Sequence, residues 1–318
     1  MSHLIVHPLP YCIPDENIVK YQDIINKKHI IISDIIPGER ITYRFNANDE
    51  EEYNQHYQES FFAYTQKKGG WDCLRHYEIL ANGCLPIFKN LTQCPRDSLS
   101  SLPKELIEEY NRKILPFHKE HHSEYNQYLV KILDHVRTNC STSATATYFL
   151  EKMNHLKNVK NILLITCDKG VNYTRELFWI GMKRLIQEKN GIAIEFPKIN
   201  YLYESFNGSK KDLYGYGFNY AGKLKDDYDF ETEEIVSKIK DKFWDLIIFG
   251  KVGPDELWEG SIPNLPLWNM VYENYCKDQI VFLYGGDECI DLTYDNRYSH
   301  HIMYHGNFGH CFVRELKR

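Results

Sequence analysis

Short β-branched apolar runs, each closed by proline or glycine, recur along the chain and alternate with stretches of helical spacing. LIVHPLPYCI (residues 4 to 13) and HIIISDII (29 to 36) predict buried strands. An acidic, Tyr-rich stretch from Asp49 to Ser60 predicts a helix and FFAYT (61 to 65) a strand. Beyond the loop QKKGG, the segment Trp71 to Asn82 has helical spacing, Gly83 stops it, and LPIF (85 to 88) is again a strand. Strand, glycine loop, helix and strand in succession are the unit of a parallel α/β sheet. From Pro103 to Leu156 helical spacing dominates, with STSATAT (141 to 147) as a loop or a helix start. A new rhythm opens with NILLITC (161 to 167) and an amphipathic helix around Arg175 to Gln187. It continues through IAIEFP (192 to 197), TEEIVSKIKDKF, WDLIIFG (244 to 250) and QIVFLYGG (279 to 286), as in a Rossmann-like domain.

The 318 residues suit two domains of about 150 residues each, and the change of rhythm puts the boundary near residue 157. The expected fold class is α/β, with two Rossmann-like domains over 1–157 and 158–318. An apolar fraction of 43% and a charged fraction of 26% are those of a folded globular chain. A net charge of −6 gives no electrostatic footprint for nucleic acid or an anionic membrane. The nine cysteines include no CxxC pair, which argues against a structural zinc and for a reducing, cytoplasmic setting. No window reaches the roughly 18 apolar residues of a membrane span, and the N-terminal stretch is broken by prolines, unlike a signal peptide. The 24 tyrosines offer flat faces suited to sugar rings, although an AT-rich genome also enriches tyrosine.

The densest chemical signal is FFAYTQKKGGWDCLRHYEILANGCLPIF (61 to 88). Lys67 and Lys68 precede Gly69 and Gly70, so a turn with two positive charges leads into a helix N-terminus at Trp71, a place that favours a diphosphate. Asp72, Arg75, Glu78 and Asn82 fall on one polar stripe, opposite Leu74, Tyr77, Leu80 and Ala81. On that stripe Arg75 can neutralise phosphate and Glu78 can accept from a ribose diol or a sugar hydroxyl. Alternatively, Asp72, Arg75 and Glu78 form a surface salt-bridge ladder worth only tenths of a kcal/mol per pair.

RHYEILANGCLPIF resembles the donor-binding signature of exostosin-like and related glycosyltransferases of the GT-B architecture, and the continuation NLTQCPRDSLSSLPKELI is similar to the same domain. The resemblance implies a donor domain over 1–157, with Lys67, Lys68, Gly69, Gly70, Trp71, Arg75 and Glu78 around a nucleotide-diphosphate sugar. That molecule would serve as co-substrate, with no resident cofactor. No metal-binding DxD motif is evident between strands, which fits an enzyme that stabilises the leaving diphosphate with side chains. GT-B enzymes mostly carry the donor domain second, so the order here suggests circular permutation, with an acceptor domain over 158–318.

Transfer to a glycan or other hydroxyl acceptor needs a base at a strand end facing the cleft. Asp168 in CDKG and Asp287 or Glu288 in YGGDE follow well-defined apolar strands and are the expected carboxylates, with His305 and His310 as further candidates. Asp168 can equally cap the following helix. DLYGYGFNYAG (212 to 222) reads either as a mobile aromatic loop over the ligands or as an irregular connection with half-buried tyrosines. Neither GxxxxGK[ST] nor GxGxxG follows a strand, which lowers the rival readings of a kinase or an NAD enzyme. A nucleotide-sugar or carbohydrate-binding protein without a base is the non-enzymatic alternative.

Overall fold

The structure is a computed structural model and describes residues 5–167, 170–252, 265–294 and 297–318. Its strands are β1 (Val6–Pro8), β2 (Ile30–Ile32), β3 (Ser60–Thr65), β4 (Leu85–Phe88), β5 (Asn161–Thr166), β6 (Ile192–Phe196), β7 (Leu246–Gly250), β8 (Ile280–Tyr284), β9 (Ile290–Asp291), β10 (His310–Val313) and β11 (Leu316–Lys317). The α-helices are α1 (Tyr21–Ile24), α2 (Glu50–Glu59), α3 (Leu74–Ala81), α4 (Lys104–Ile114), α5 (His122–His135), α6 (Thr142–Lys152), α7 (Tyr173–Glu188), α8 (Thr232–Lys240), α9 (Trp268–Asn274) and α10 (Arg297–His305).

The protein is α/β, with a six-stranded sheet in the order β1-β10-β8-β7-β5-β6 and a three-stranded sheet in the order β2-β3-β4, a layout compatible with Rossmann-like folds. Every pairing within these two sheets is parallel. The long apolar runs of the six-stranded sheet become strands because a parallel sheet is covered on both faces, so consecutive residues must all be apolar. β2 differs from the buried strand expected for HIIISDII, since Ile31 and Ile32 lie exposed at the edge of the smaller sheet. Ile162, Leu164, Leu246, Ile248, Val281 and Leu283 point to one face, against α6 and α7. Leu163, Ile165, Ile247, Phe249 and Phe282 point to the other, against α8 and α9.

The apolar cluster on the first face runs without a break into the first half of the chain, through Leu9, Ile13, Trp71, Leu74, Tyr77 and Leu80. α6 and α7 pack at close range because Gly181 offers no side chain where a Cβ would overlap the Thr142 carbonyl. One difference from the sequence reading concerns β1. Its sequence belongs to the first half, yet Val6 pairs with Cys311 and Pro8 with Val313, so it forms an edge of the sheet built by the second half. A three-residue edge strand takes its place from the open side of its neighbour, and sequence spacing does not show which edge is open. HCFV, the partner of β1, was not among the expected strands either, since only four residues carry its apolar pattern.

α3 ends as the sequence predicts. Gly83 has φ +64°, its N–H bonds the Leu80 carbonyl at 3.0 Å, and the Cys84 N–H bonds the Ile79 carbonyl at 3.0 Å, which together make a Schellman cap. Its start is three residues later than the spacing suggests, at Leu74 after an extended Cys73. Tertiary partners claim the backbone upstream: the Asp72 N–H donates to Glu315 Oε1 at 2.7 Å, and the Asp72 carbonyl accepts from Arg314.

Candidate functional site

The carboxyl ends of β3, β8 and β10 lead into one region, because each is followed by a loop that meets the others. The loop after β3 carries Lys67 to Cys73, the loop after β8 carries Gly285 to Asp287, and Arg314 with Glu315 follows β10 directly. Arg314 is fully buried and holds them together. It donates to the Asp72 carbonyl, to the Gly286 carbonyl at 2.6 Å and to Asp287 Oδ1, and its guanidinium lies 4.6 Å from the centroid of the Tyr11 ring. Asp287, the partner carboxylate nearest solvent, keeps its side chain 65% exposed. Gly69 packs against the Asp287 carboxylate and Gly70 against that of Glu315, so the two glycines serve as places of close approach.

A cavity of about 430 Å³ opens beside this junction. Of the expected ligand residues, Lys68, Gly69, Gly70, Arg75 and Glu78 line it, and Asp287 reaches it from the other half of the chain. Much of the rest of the wall is aromatic, with Tyr43, Phe45, Tyr53, Tyr173, Tyr216 and Phe218 among its residues. Lys67 and Trp71 do not line it. The Lys67 ammonium lies 5.5 Å from the centroid of the Trp71 ring, and Trp71 itself is buried in the main apolar cluster. Glu288 is exposed, beside Gly286, and is not part of the wall. Asp168 lies outside the described residues.

α3 is buried on nearly every side, which removes the surface-ladder reading of Asp72, Arg75 and Glu78. Glu78 accepts from Tyr53 Oη at 2.6 Å and from Asn219 Nδ2 at 2.7 Å, so α2 and the loop after β6 both hold its carboxylate in place. Burial raises its pKa, against the hydrogen bond from Tyr53 and the positive charge of Arg75. Arg75 stacks on Tyr43, with its guanidinium carbon 4.7 Å from the ring centroid, and its buried Nε has no hydrogen-bond partner. Among the described residues no carboxylate forms an ion pair with it. Asn82 is spent on structure, donating to Asn54 Oδ1 and accepting from Gln58.

Asp72, which the sequence places only on the polar stripe, turns out to be a buried carboxyl in the cavity wall. Its Oδ2 accepts from the Tyr11 N–H at 2.7 Å and its Oδ1 has no hydrogen-bond partner among the described residues. Burial pushes its pKa up to about 7, with Arg314 opposing and Glu315 reinforcing the shift. A carboxyl poised near neutrality can take or give a proton at physiological pH. Arg314 and Glu315, missed in the sequence, stand as a charged pair straight after an apolar run, and that break in pattern is the one signal that marks them.

The loop expected to be aromatic and glycine-rich does reach the cavity. Gly215 and Gly217 have φ of +58° and +75°, and Tyr216 between them has φ +57°, a left-handed backbone that tyrosine rarely adopts. Tyr220 is buried, its hydroxyl on the Tyr214 carbonyl at 2.8 Å. His305 is buried with its Nδ1 on the Tyr284 hydroxyl, and His310 opens β10 at the far end of the sheet. One DxD spacing does occur, Asp227-Tyr228-Asp229, and Asp227 is engaged by Lys183 at 2.7 Å and Lys198 at 3.8 Å.

A larger groove of about 610 Å³ lies along α6, lined by small hydroxyl residues such as Ser101, Ser143 and Thr145. Among the described residues its single cation, Arg137, donates to the Val19 carbonyl at 2.5 Å and pairs with Asp134 at 3.6 Å. The smaller cavity therefore has the better chemistry for an anionic, ring-bearing ligand, despite its size. No helix among the described residues is long and apolar enough to cross a membrane. Comparisons with protein families, with characterised proteins and with solved structures find no match to this chain.

Proposed function

We propose that the cavity binds a nucleotide-diphosphate sugar and that the protein is a metal-independent glycosyltransferase of GT-B-like architecture, moving the sugar to a glycan or other hydroxyl acceptor. The observation that carries this reading is Arg75. A guanidinium on an aromatic face, in a cavity wall, with no ion-pair contact to a carboxylate among the described residues and only the longer-range field of Glu78 set against it, is a receptor for an anion. Lys68 adds a second positive charge on the same wall. Tyr43, Phe45 and Tyr53 supply flat surfaces for a base or a sugar ring, and Glu78 retains lone pairs for a ribose diol. As the diphosphate leaves, its growing charge is met by Arg75 and Lys68, a preorganised electrostatic contribution that exists before the reaction starts. Asp287 and Asp72 are the carboxyls within the wall able to accept the acceptor's proton.

The pairing of Asp287 with buried Arg314 favours a second reading, since a carboxylate so engaged is a structural tie as well as a candidate base. In that case the protein binds the donor without transferring it. Calorimetric titration with UDP-, GDP-, ADP- and CMP-sugars tests both. Binding of one class that Arg75→Ala abolishes supports the site, whereas no binding of any class sinks it. Donor hydrolysis or transfer by the wild-type protein then selects the enzyme over the binder.

A further inference from the structure

His310 opens β10 at the amino end of the six-stranded sheet, the edge opposite the cavity. Its residue surface is 2% exposed, yet neither ring nitrogen has a hydrogen-bond partner among the described residues. Buried polar atoms are rarely left so, and an orphaned imidazole with both nitrogens idle asks for an explanation such as an ion. Two other metal-ligating groups meet it there. Asp278 precedes β8, the strand next to β10, and His155 lies in the connection between α6 and β5. One ligand atom from each of the three residues falls within 4.8 Å of the others.

We propose that His155, Asp278 and His310 bind one divalent transition-metal ion, zinc in the first instance. His310 Nε2 and Asp278 Oδ1 are 3.8 Å apart, too far for a hydrogen bond. Two ligands each about 2.1 Å from a tetrahedral ion stand roughly 3.4 Å from one another, so a small contraction seats the ion between them. The His155 ring is stacked on His310, with centroids 4.9 Å apart and planes at 11°, and its Nε2 contacts the Asp278 carbonyl at 3.1 Å. Stacked rings do not aim their lone pairs at one point, so coordination requires His155 to turn. It is exposed and has room to do so. Two imidazoles and a carboxylate suit zinc, nickel or cobalt better than calcium or magnesium. Solvent completes the shell on the open side.

The ion would tie the α6–β5 connection to the starts of β8 and β10. The five residues of β8 separate it by about 15 Å from the cavity, so the site is independent of the glycosyl-transfer reading. The test uses untagged full-length protein, stripped with chelator and titrated with Co²⁺ by absorption and with Zn²⁺ by calorimetry. One ion per chain with visible tetrahedral or five-coordinate cobalt bands is expected, with a rise in thermal midpoint on adding Zn²⁺. His155→Ala and Asp278→Ala change exposed side chains and should keep the fold, each weakening binding at least about tenfold. His121→Ala is the control, because His118, His121 and His122 form a separate surface group of histidines. Binding that survives His155→Ala and Asp278→Ala, or that disappears with His121→Ala, overturns the proposal, as does the absence of stoichiometric binding.

Discussion

Gly69 lies so close to Asp287 that a methyl group on its Cα would overlap the carboxylate, and through this contact the lysine-bearing loop of the first half rests on the second. Gly70 has the same relation to Glu315, with a difference in the partner's freedom: Asp287 is largely exposed, whereas Glu315 is 1% exposed. Gly70→Ala should therefore cost about 1–3 kcal/mol through overpacking, while Gly69→Ala pushes against a largely exposed carboxylate with room to turn towards solvent and costs less. Urea denaturation of the two variants gives the comparison. Equal losses would mean that the Glu315 side chain yields as easily as that of Asp287.

Arg314 explains how loops from both ends of the chain converge. With two carbonyls, Asp287 and the nearby Glu315 as partners, its removal strands buried acceptors and a buried carboxylate together. Arg314→Leu should destabilise by about 3–5 kcal/mol, the usual cost of breaking a buried ion pair from one side. Arg314→Lys should recover only part of this, since an ammonium cannot reproduce the planar fork. A chemical-denaturation loss below about 1 kcal/mol for the leucine variant would place the junction's strength elsewhere.

Among the described residues Arg75 makes no ion pair, so its deletion should affect ligand and not fold. Two charge-assisted hydrogen bonds to a phosphate are worth about 1.5–3 kcal/mol each, so Arg75→Ala should weaken nucleotide-sugar binding by roughly 100-fold or more. Its melting temperature should stay within a few degrees of wild type. A variant that melts early but still binds would reassign Arg75 to packing against Tyr43.

The pKa of Asp72 makes a signed prediction. In the unfolded chain the carboxyl titrates near 3.8 and in the fold near 7, so between these values the folded protein binds the extra proton. Folding stability from this group is complete below about pH 4 and declines as pH rises towards 7. The buried histidines act in the opposite sense, because His7 and His310 are lowered to about 4, and His76 and His305 to about 3, so their folded forms resist protonation. Asp72→Asn isolates the carboxyl. Its stability relative to wild type should increase from pH 4 to pH 7, measured by urea midpoints, and a constant difference would show that Asp72 is ionised throughout.

Much of this was legible in the sequence. The long apolar runs over 161–166, 246–250 and 280–284 are strands, and Lys68, Gly69, Gly70, Arg75 and Glu78 do share one cavity wall, although Lys67 and Trp71 stay out of it. Local patterns of that kind survive because the apolar period and the glycine punctuation act within a few residues. What the sequence hid is non-local. Nothing near Val6 announces a partner at Cys311, and nothing near Asp72 announces Arg314, because those pairings depend on which strand edge is open and on where a loop returns. Apart from the loop over 212–222, the aromatic wall was likewise invisible, since Tyr43, Tyr53 and Tyr173 come from separate segments and differ in no local way from the other tyrosines.

Tyr216 joins backbone strain to the cavity. Its φ of +57° costs about 1 kcal/mol or more for a residue with a Cβ, yet the side chain stands in the cavity wall. Strain held at such a place is expected when the ring itself has a task, here covering the ligand. Tyr216→Gly should leave stability unchanged or slightly higher, because glycine accepts the left-handed backbone, while nucleotide-sugar affinity falls. Tyr216→Ala keeps the strain and loses the ring, so it should match the glycine variant in affinity and be the less stable of the two. Paired thermal melts and calorimetric titrations separate the effects. Unchanged affinity in both variants would reduce the loop to a connection whose tyrosines merely shield the cavity mouth.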